Sequence, residues 1–296
     1  MQVLIAGGSG FLGTALRKSL QSDGHDVYVL TRGAPRSPHA IQWDGKTADG
    51  WGQLVNEIDA IVNFTGHGLE HWPWTARQKQ KFLDSRIFPG QALVSAVQKA
   101  TRAPRVLVQA SGVNRYGMRG EHIADESTPP GKDFLARLTV PWEDATKPVE
   151  ELGTRRVIIR NAVVLARRGG LFPLMSLAPR LFFGGTFGDG SQAMPWIHIT
   201  DHINAVRFLL ENETARGPFN LVAPQPTSNA EFMQAVTRAL RRPYWFHVPR
   251  FLLRLILGEM SVLLTEGRYS QPKRLIELGF QFRYGSLKEA MEDLLT

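Results

Sequence analysis

Three glycines spaced three apart, Gly7, Gly10 and Gly13 in GGSGFLG, stand where a chain could cradle phosphates. They follow the apolar run Gln2–Ala6 and open a stretch with apolar residues at 11, 12, 15, 16 and 20, a helical spacing. In a strand–turn–helix the first glycine permits a tight turn. The second lets the backbone approach a pyrophosphate, and the third lets the helix pack against the strand. The helix N-terminus adds unsatisfied N–H groups and a partial positive charge. Ser9, Phe11 and Leu12 fall in the same turn. The second apolar run ends VLTRG, with Thr31 and Arg32 where an acidic residue would bind a ribose 2′-hydroxyl. A guanidinium suits a phosphate monoester instead. One charge-assisted bond contributes about 1.5–3 kcal/mol, roughly ten- to a hundredfold in affinity. The pattern predicts NADP(H), held by Gly7, Ser9, Gly10, Phe11, Leu12, Gly13, Thr31 and Arg32, with Arg36 able to substitute for Arg32.

Strand-like runs at 26–30, 60–64, 106–109 and 156–160 alternate with helical stretches, one beginning after the capping residue Thr75 and continuing through 88–99, another covering 130–152. Such alternation implies a doubly wound parallel sheet with helices on both faces. Thr65 and Gly66, Ser111 and Asn161 follow strands at the carboxyl ends, the ligand side of such a sheet, and join the predicted cofactor set. After residue 161 the composition shifts to Gly, Pro and Phe, a long loop with a short helix, followed by helices at 202–210 and 229–240, a strand at 219–222 and more helices from 243 onward. The organisation predicted is α/β: a Rossmann-type domain over residues 1–165 with returning segments around 196–225, and a smaller C-terminal α/β lobe over 166–296 closing on substrate.

The chain has no cysteine among 296 residues, which excludes disulfides, thiolate metal sites and cysteine nucleophiles. The net charge of +8 favours anionic ligands, but the basic residues are scattered in short pairs with no aromatic-interleaved stripe, so no nucleic-acid partner is predicted. The opening MQVLIAGG reads as a strand rather than a secretory leader, and a cytoplasmic protein is expected. The apolar stretch 245–264 is interrupted by Arg250, Arg254, Gly258 and Glu259. No uninterrupted apolar run in it approaches the ~20 residues needed to span a bilayer, so it predicts a helix at about 249–257 packed on the core, with a surface-lying amphipathic anchor as the alternative, and no membrane partner. His67 and His71 lie four apart, but Pro73 and the nearby glycines speak against a helical metal pair; no metal is predicted.

AGGSGFLG, VNFTGHGL, WTARQKQKFLDSR, RYG, FLARLTVPWE, PWIHITDHINAV, GPFNLVAPQP and GEMSVLLTEGR with PKRL run nearly end to end. Together they resemble the extended short-chain dehydrogenase/reductases, in the branch of predicted nucleoside-sugar epimerases with a distinctive C-terminal segment. That resemblance implies a Rossmann-type domain binding NADP(H) and a small C-terminal lobe closing over a substrate cleft. It names no substrate, and the expected activity is an oxidoreductase or epimerase on a small substrate, sugar nucleotides being one class. It also implies a catalytic tyrosine with a lysine four residues on. Aligned on Trp142-Glu143, those positions hold Leu135 and Thr139; aligned on Tyr116-Gly117, the Ser/Thr position holds Gly112, with Ser111 one residue early. Leucine cannot transfer a proton. Tyr116, just past a strand, and His198, with Asp201 nearby, are the candidate replacements. Alternatively Tyr116 packs against the cofactor loop, His198 is a hydrogen-bonded structural residue, Asp201 caps the following helix, and the protein binds NADP(H) without turnover.

Overall fold

The computed structural model describes residues 1–296 other than Arg36, Glu121 and Thr296. Its strands are β1 Gln2–Ala6, β2 Asp26–Thr31, β3 Ala40–Gln42, β4 Ala60–Asn63, β5 Val106–Gly112, β6 Arg155–Asn161, β7 Val163–Leu165, β8 Gly184–Phe187, β9 Trp196–His198, β10 Gly217–Leu221 and β11 Tyr244–Val248. Among the described residues, seven strands form one parallel sheet in the order β10-β6-β5-β4-β1-β2-β3. The chain winds outward from β1 to β3, then restarts at β4 on the other side of β1. The switch point therefore lies between β1 and β4, where a parallel sheet opens a crevice at its carboxyl ends.

Side chains along each strand alternate between two cores. Val3 and Ile5 pack with Leu16 and Leu20 of helix α1 (Phe11–Ser22) and with Val206 and Leu209 of the helix Ile199–Glu211. Leu4 and Ala6 pack on the other face with Leu93 and Val97 of helix α2 (Ala76–Lys99). Burial on both faces explains why the strands read as continuous apolar runs. Thr75 caps α2 by accepting from the Gln78 amide at 3.2 Å. Helix α3, Phe134–Asp144, is capped in the same way by Asp133, which accepts from the Ala136 amide at 2.9 Å.

A third core joins Leu165, Phe172, Trp196, Phe232, Val236, Met291 and Leu294, all from the second half of the chain. The glycine- and proline-rich stretch after β6 folds into β7, two one-turn helices, β8 and β9. Two expectations for the C-terminal region are corrected. Residues 244–248, expected to be helical, form β11, which pairs in parallel with β8; the β-favouring run Tyr-Trp-Phe-His-Val explains it. The helix expected at about 249–257 is present as Arg250–Leu257, but only Leu253 is buried, so it is not packed into the core. No helix among the described residues is long and apolar enough to cross a membrane.

Candidate active site

A crevice of about 460 Å³ opens at the carboxyl ends of β1, β2 and β4, and Gly7, Ser9, Gly10, Thr31, Arg32, Thr65 and Gly66 line it. The glycine turn takes its shape for steric reasons. Gly7 has φ 78°, a region a side chain adopts only under strain. Its carbonyl accepts from the Gly10 amide at 3.0 Å. Gly10 caps α1, and its own carbonyl receives the Thr14 amide at 2.9 Å. A Cβ on Gly13 would stand 2.4 Å from the Gly7 oxygen and 2.5 Å from the Gly8 Cα. Helix and turn are therefore in contact at a point where only hydrogen fits.

The second wall is held by buried polar side chains. Asn63, at the end of β4, donates to Gln109 Oε1 at 2.9 Å, and its own oxygen accepts from the Thr65 amide and hydroxyl at 3.1 and 2.6 Å. Arg86 of α2 donates to the carbonyls of His67 and Phe82, each at 3.0 Å, and stacks over Trp142 with 4.7 Å to the ring. Burial pulls its pKa down to about 10. The His67 amide donates to Ser85 Oγ at 2.9 Å. Residues 63–67 are thus fixed from both β5 and α2. His67 itself lines the crevice and its ring lies 4.0 Å from that of His71. Burial, then the neighbouring His71, hold its pKa below the usual histidine value.

At the β2 end, Arg32 lies across Gly45, its Cδ 3.7 Å from where a Cβ there would be. Lys46, the next residue, also lines the crevice and lies 5.8 Å from the Phe88 ring centroid. Asp44 shares the lining, but its carboxylate accepts the Lys46 and Thr47 amides at 2.7 and 2.8 Å, hydrogen bonds that hold its pKa low. Arg36, the alternative cation, lies outside the described residues.

The remaining sequence candidates are seated elsewhere. Phe11 turns its ring onto Gly169 and Gly170 and, with Leu12, packs against the sheet core. Ser111 donates to Glu143 at 2.7 Å, and Asn161 pairs with His202 Nε2 at 2.9 Å. Both are directed into the protein rather than into the crevice. Tyr116 is fully buried; its hydroxyl donates to Asn220 at 2.6 Å and accepts from Arg160 at 2.9 Å. Burial pushes its pKa up to about 12. Arg160 in turn forms a two-bond pair with Glu143 at 2.9 and 3.0 Å. Tyr116 therefore belongs to a buried network across β5, α3, β6 and β10, which corrects its reading as a proton relay. His198 is buried too. Its Nδ1 accepts from the Thr200 amide at 3.1 Å, so it caps the helix Ile199–Glu211, and its Nε2 lies 3.3 Å from Asp293. The cap expected of Asp201 is thus made by His198, while Asp201 accepts the Arg283 and Tyr284 amides, each at 2.8 Å. Leu135 packs with Trp74, Phe82 and Leu138, and Thr139 donates to the Ala136 carbonyl at 2.8 Å.

Comparison with known proteins agrees with this geometry. The NAD dependent epimerase/dehydratase family model matches residues 3–140, and a model described as a domain of unknown function, DUF1731, matches residues 248–294. The epimerase family protein YfhF of Bacillus subtilis is 36% identical over 100% of this chain and 98% of its own length. The epimerase family protein SH2119 of Staphylococcus haemolyticus is 37% identical over 99% of each. The chain belongs to the NAD-dependent epimerase/dehydratase family. The crystal structure of the human epimerase family protein SDR39U1 with NADPH superposes with a TM-score of 0.92 at 34% identity, covering 100% of this chain and 99% of that one. A nucleoside-diphosphate sugar epimerase from Corynebacterium glutamicum matches with a TM-score of 0.81 at 30% identity, over 100% of this chain and 58% of its own. Within this extended short-chain dehydrogenase/reductase fold, Lys46 and His67 line the crevice and Arg86 braces its wall, positions that sequence reasoning did not assign to it. Arg86 sits in the WTARQKQKFLDSR segment, so the signal was present without a role attached.

Proposed function

We propose that the protein binds NADP(H) in the crevice and acts as an oxidoreductase or epimerase on a small substrate, a sugar nucleotide being the class that best suits the family. The observation that carries this reading is the convergence of the Gly7–Gly13 turn, Arg32 and Lys46 on one crevice at the switch point of the sheet. The turn leaves room for backbone against phosphate, and the two cations flank the end of β2, where a ribose phosphate would sit. Gly7, Ser9 and Gly10 would hold the pyrophosphate, Thr65 and Gly66 the ribose side, and Arg32 with Lys46 the 2′-phosphate. When bound, the nicotinamide supplies or accepts hydride. In this reading residues 1–165, with the return around 196–225, form the binding domain and 166–296 the smaller lobe, in a cytoplasmic protein.

When hydride leaves the substrate carbon, the hydroxyl proton must then pass to a crevice side chain, which returns it when hydride comes back. Of the described titratable groups lining it, His67 is the one whose ordinary pKa lies near neutrality. Its lowered pKa keeps it neutral at pH 7 and able to accept a proton. A second reading, cofactor binding without turnover, is favoured by the burial of Leu135 and Thr139, whose positions offer no acid or base. Oxidation of NADPH across a panel of carbonyl compounds and sugar nucleotides separates the two. Turnover that falls at least tenfold in His67→Ala supports the first. Tight binding with no oxidation of any panel member establishes the second.

A further inference from the structure

Residues 171–183 and 241–257 hold five arginines, Arg180, Arg241, Arg242, Arg250 and Arg254, and no aspartate or glutamate. All five are exposed. Between them the surface carries large exposed apolar side chains: Leu255 is 80% exposed, Phe251 73%, Leu174 67% and Trp245 66%. The two segments are fastened together. Trp245 Nε1 donates to the Phe182 carbonyl at 2.9 Å, Arg242 stacks over the Phe182 ring at 4.2 Å, and the Phe183 and Phe246 rings lie 5.8 Å apart. The helix Arg250–Leu257 follows β11 after a single proline and turns Phe251, Leu255 and Ile256 outward.

A second copy of the chain is a poor occupant for this strip. A two-fold interface sets a surface against itself, and these segments would bring like charge against like charge; among the described residues only Arg250 is offset, by Asp189 at 2.9 Å. An anionic lipid surface meets both properties at once. Apolar side chains and aromatic rings enter the headgroup boundary, while the arginine stems lie along them and their charges reach the phosphates. We propose that this strip docks the protein peripherally on an anionic phospholipid bilayer, with the helix Arg250–Leu257 lying in the interface. The sequence alone set this helix against the core, with a surface-lying anchor as the alternative; the exposure of its apolar side chains favours the latter.

Co-sedimentation of the purified full-length chain with vesicles tests it, using phosphatidylcholine alone and phosphatidylcholine mixed with phosphatidylglycerol. At physiological ionic strength the mixed vesicles should bind at least about tenfold more protein than the neutral ones. Phe251→Glu with Leu255→Glu should lower that binding at least about tenfold, and so, independently, should Arg241→Glu with Arg254→Glu. All four side chains are exposed, so the melting temperature should not change. Absence of binding to the mixed vesicles overturns the proposal. So does a dimer in sedimentation analysis that Leu255→Glu disperses while vesicle binding is absent, which would assign the strip to self-association. Binding to polyglutamate but not to vesicles would overturn it in favour of an acidic protein partner.

Discussion

Gly13 offers a sharp test of the phosphate-binding turn. Its virtual Cβ lies 2.4 Å from the Gly7 carbonyl oxygen and 2.5 Å from the Gly8 Cα, whereas ordinary contact begins at 3.4 Å. Both obstacles are backbone, so no side chain can rotate aside. In Gly13→Ala the turn and the first turn of α1 must separate by about 1 Å, judged from those distances. Overpacking of this kind costs about 1–3 kcal/mol, a fall of several degrees in melting temperature. The larger effect should be on the ligand. The same displacement moves the amides that would meet the phosphates. Losing one charge-assisted hydrogen bond costs about 1.5–3 kcal/mol, or roughly ten- to a hundredfold in NADPH affinity. Gly24→Ala is the control. Its φ of 78° makes alanine costly there, but nothing lies within 4 Å of its Cβ position and it lines no part of the crevice. It should lower stability by about 1–2 kcal/mol and leave NADPH affinity unchanged. Fluorescence titration with NADPH and thermal melts of both variants measure this. Gly13→Ala binding NADPH as the wild type does would refute the assignment of this turn to the phosphates.

Three further outcomes follow from the buried polar groups. Burial drops the His202 pKa to about 3, against 6.5 for an ordinary histidine. The unfolded chain therefore takes up a proton below about pH 6.5 that the folded chain refuses, and this stability is present above that pH and lost on acidification. Unfolding free energies from urea titrations at about pH 7 and pH 5 should differ by about 2 kcal/mol from this group, and His202→Gln should remove that part of the difference. Glu143→Ala leaves Arg160 buried without its two-bond partner and should cost about 3–5 kcal/mol in denaturant unfolding. Tyr116→Phe deletes the hydroxyl shared by Asn220 and Arg160 and should cost about 1–3 kcal/mol. It should leave NADPH affinity unchanged; a strong loss of binding with stability intact would return Tyr116 to the crevice.

The parallel sheet and the glycine turn were legible because their causes are local. A run buried on both faces must be apolar, and a turn pressed against its own helix must be glycine. Arg32 was legible for a similar reason: its position follows directly from the end of β2. Tyr116 and His198 were misplaced because sequence gives a residue's distance from a strand end, not the direction of its side chain. Tyr116 follows β5 closely but is drawn inward by Asn220 and Arg160, which are 104 and 44 residues away in the chain. Lys46 and Arg86 escaped notice for the complementary reason. Lys46 reaches the crevice from the turn after β3, whereas Arg86, in the middle of α2, braces the crevice wall through the His67 carbonyl; neither belongs to a motif at a strand end. The helix Arg250–Leu257 has the apolar content of a core segment; only tertiary structure reveals that most of its apolar side chains face outward.

The central claim is that Arg32 makes this crevice an NADP(H) site. Its most direct test is fluorescence titration of the purified protein with NADPH and NADH, repeated on Arg32→Ala. NADPH should bind roughly ten- to a hundredfold more tightly than NADH, and the variant should lose most of that difference while keeping its affinity for NADH. Equal affinity for the two nucleotides in the wild type, or a preference for NADPH that survives the loss of Arg32, would contradict it.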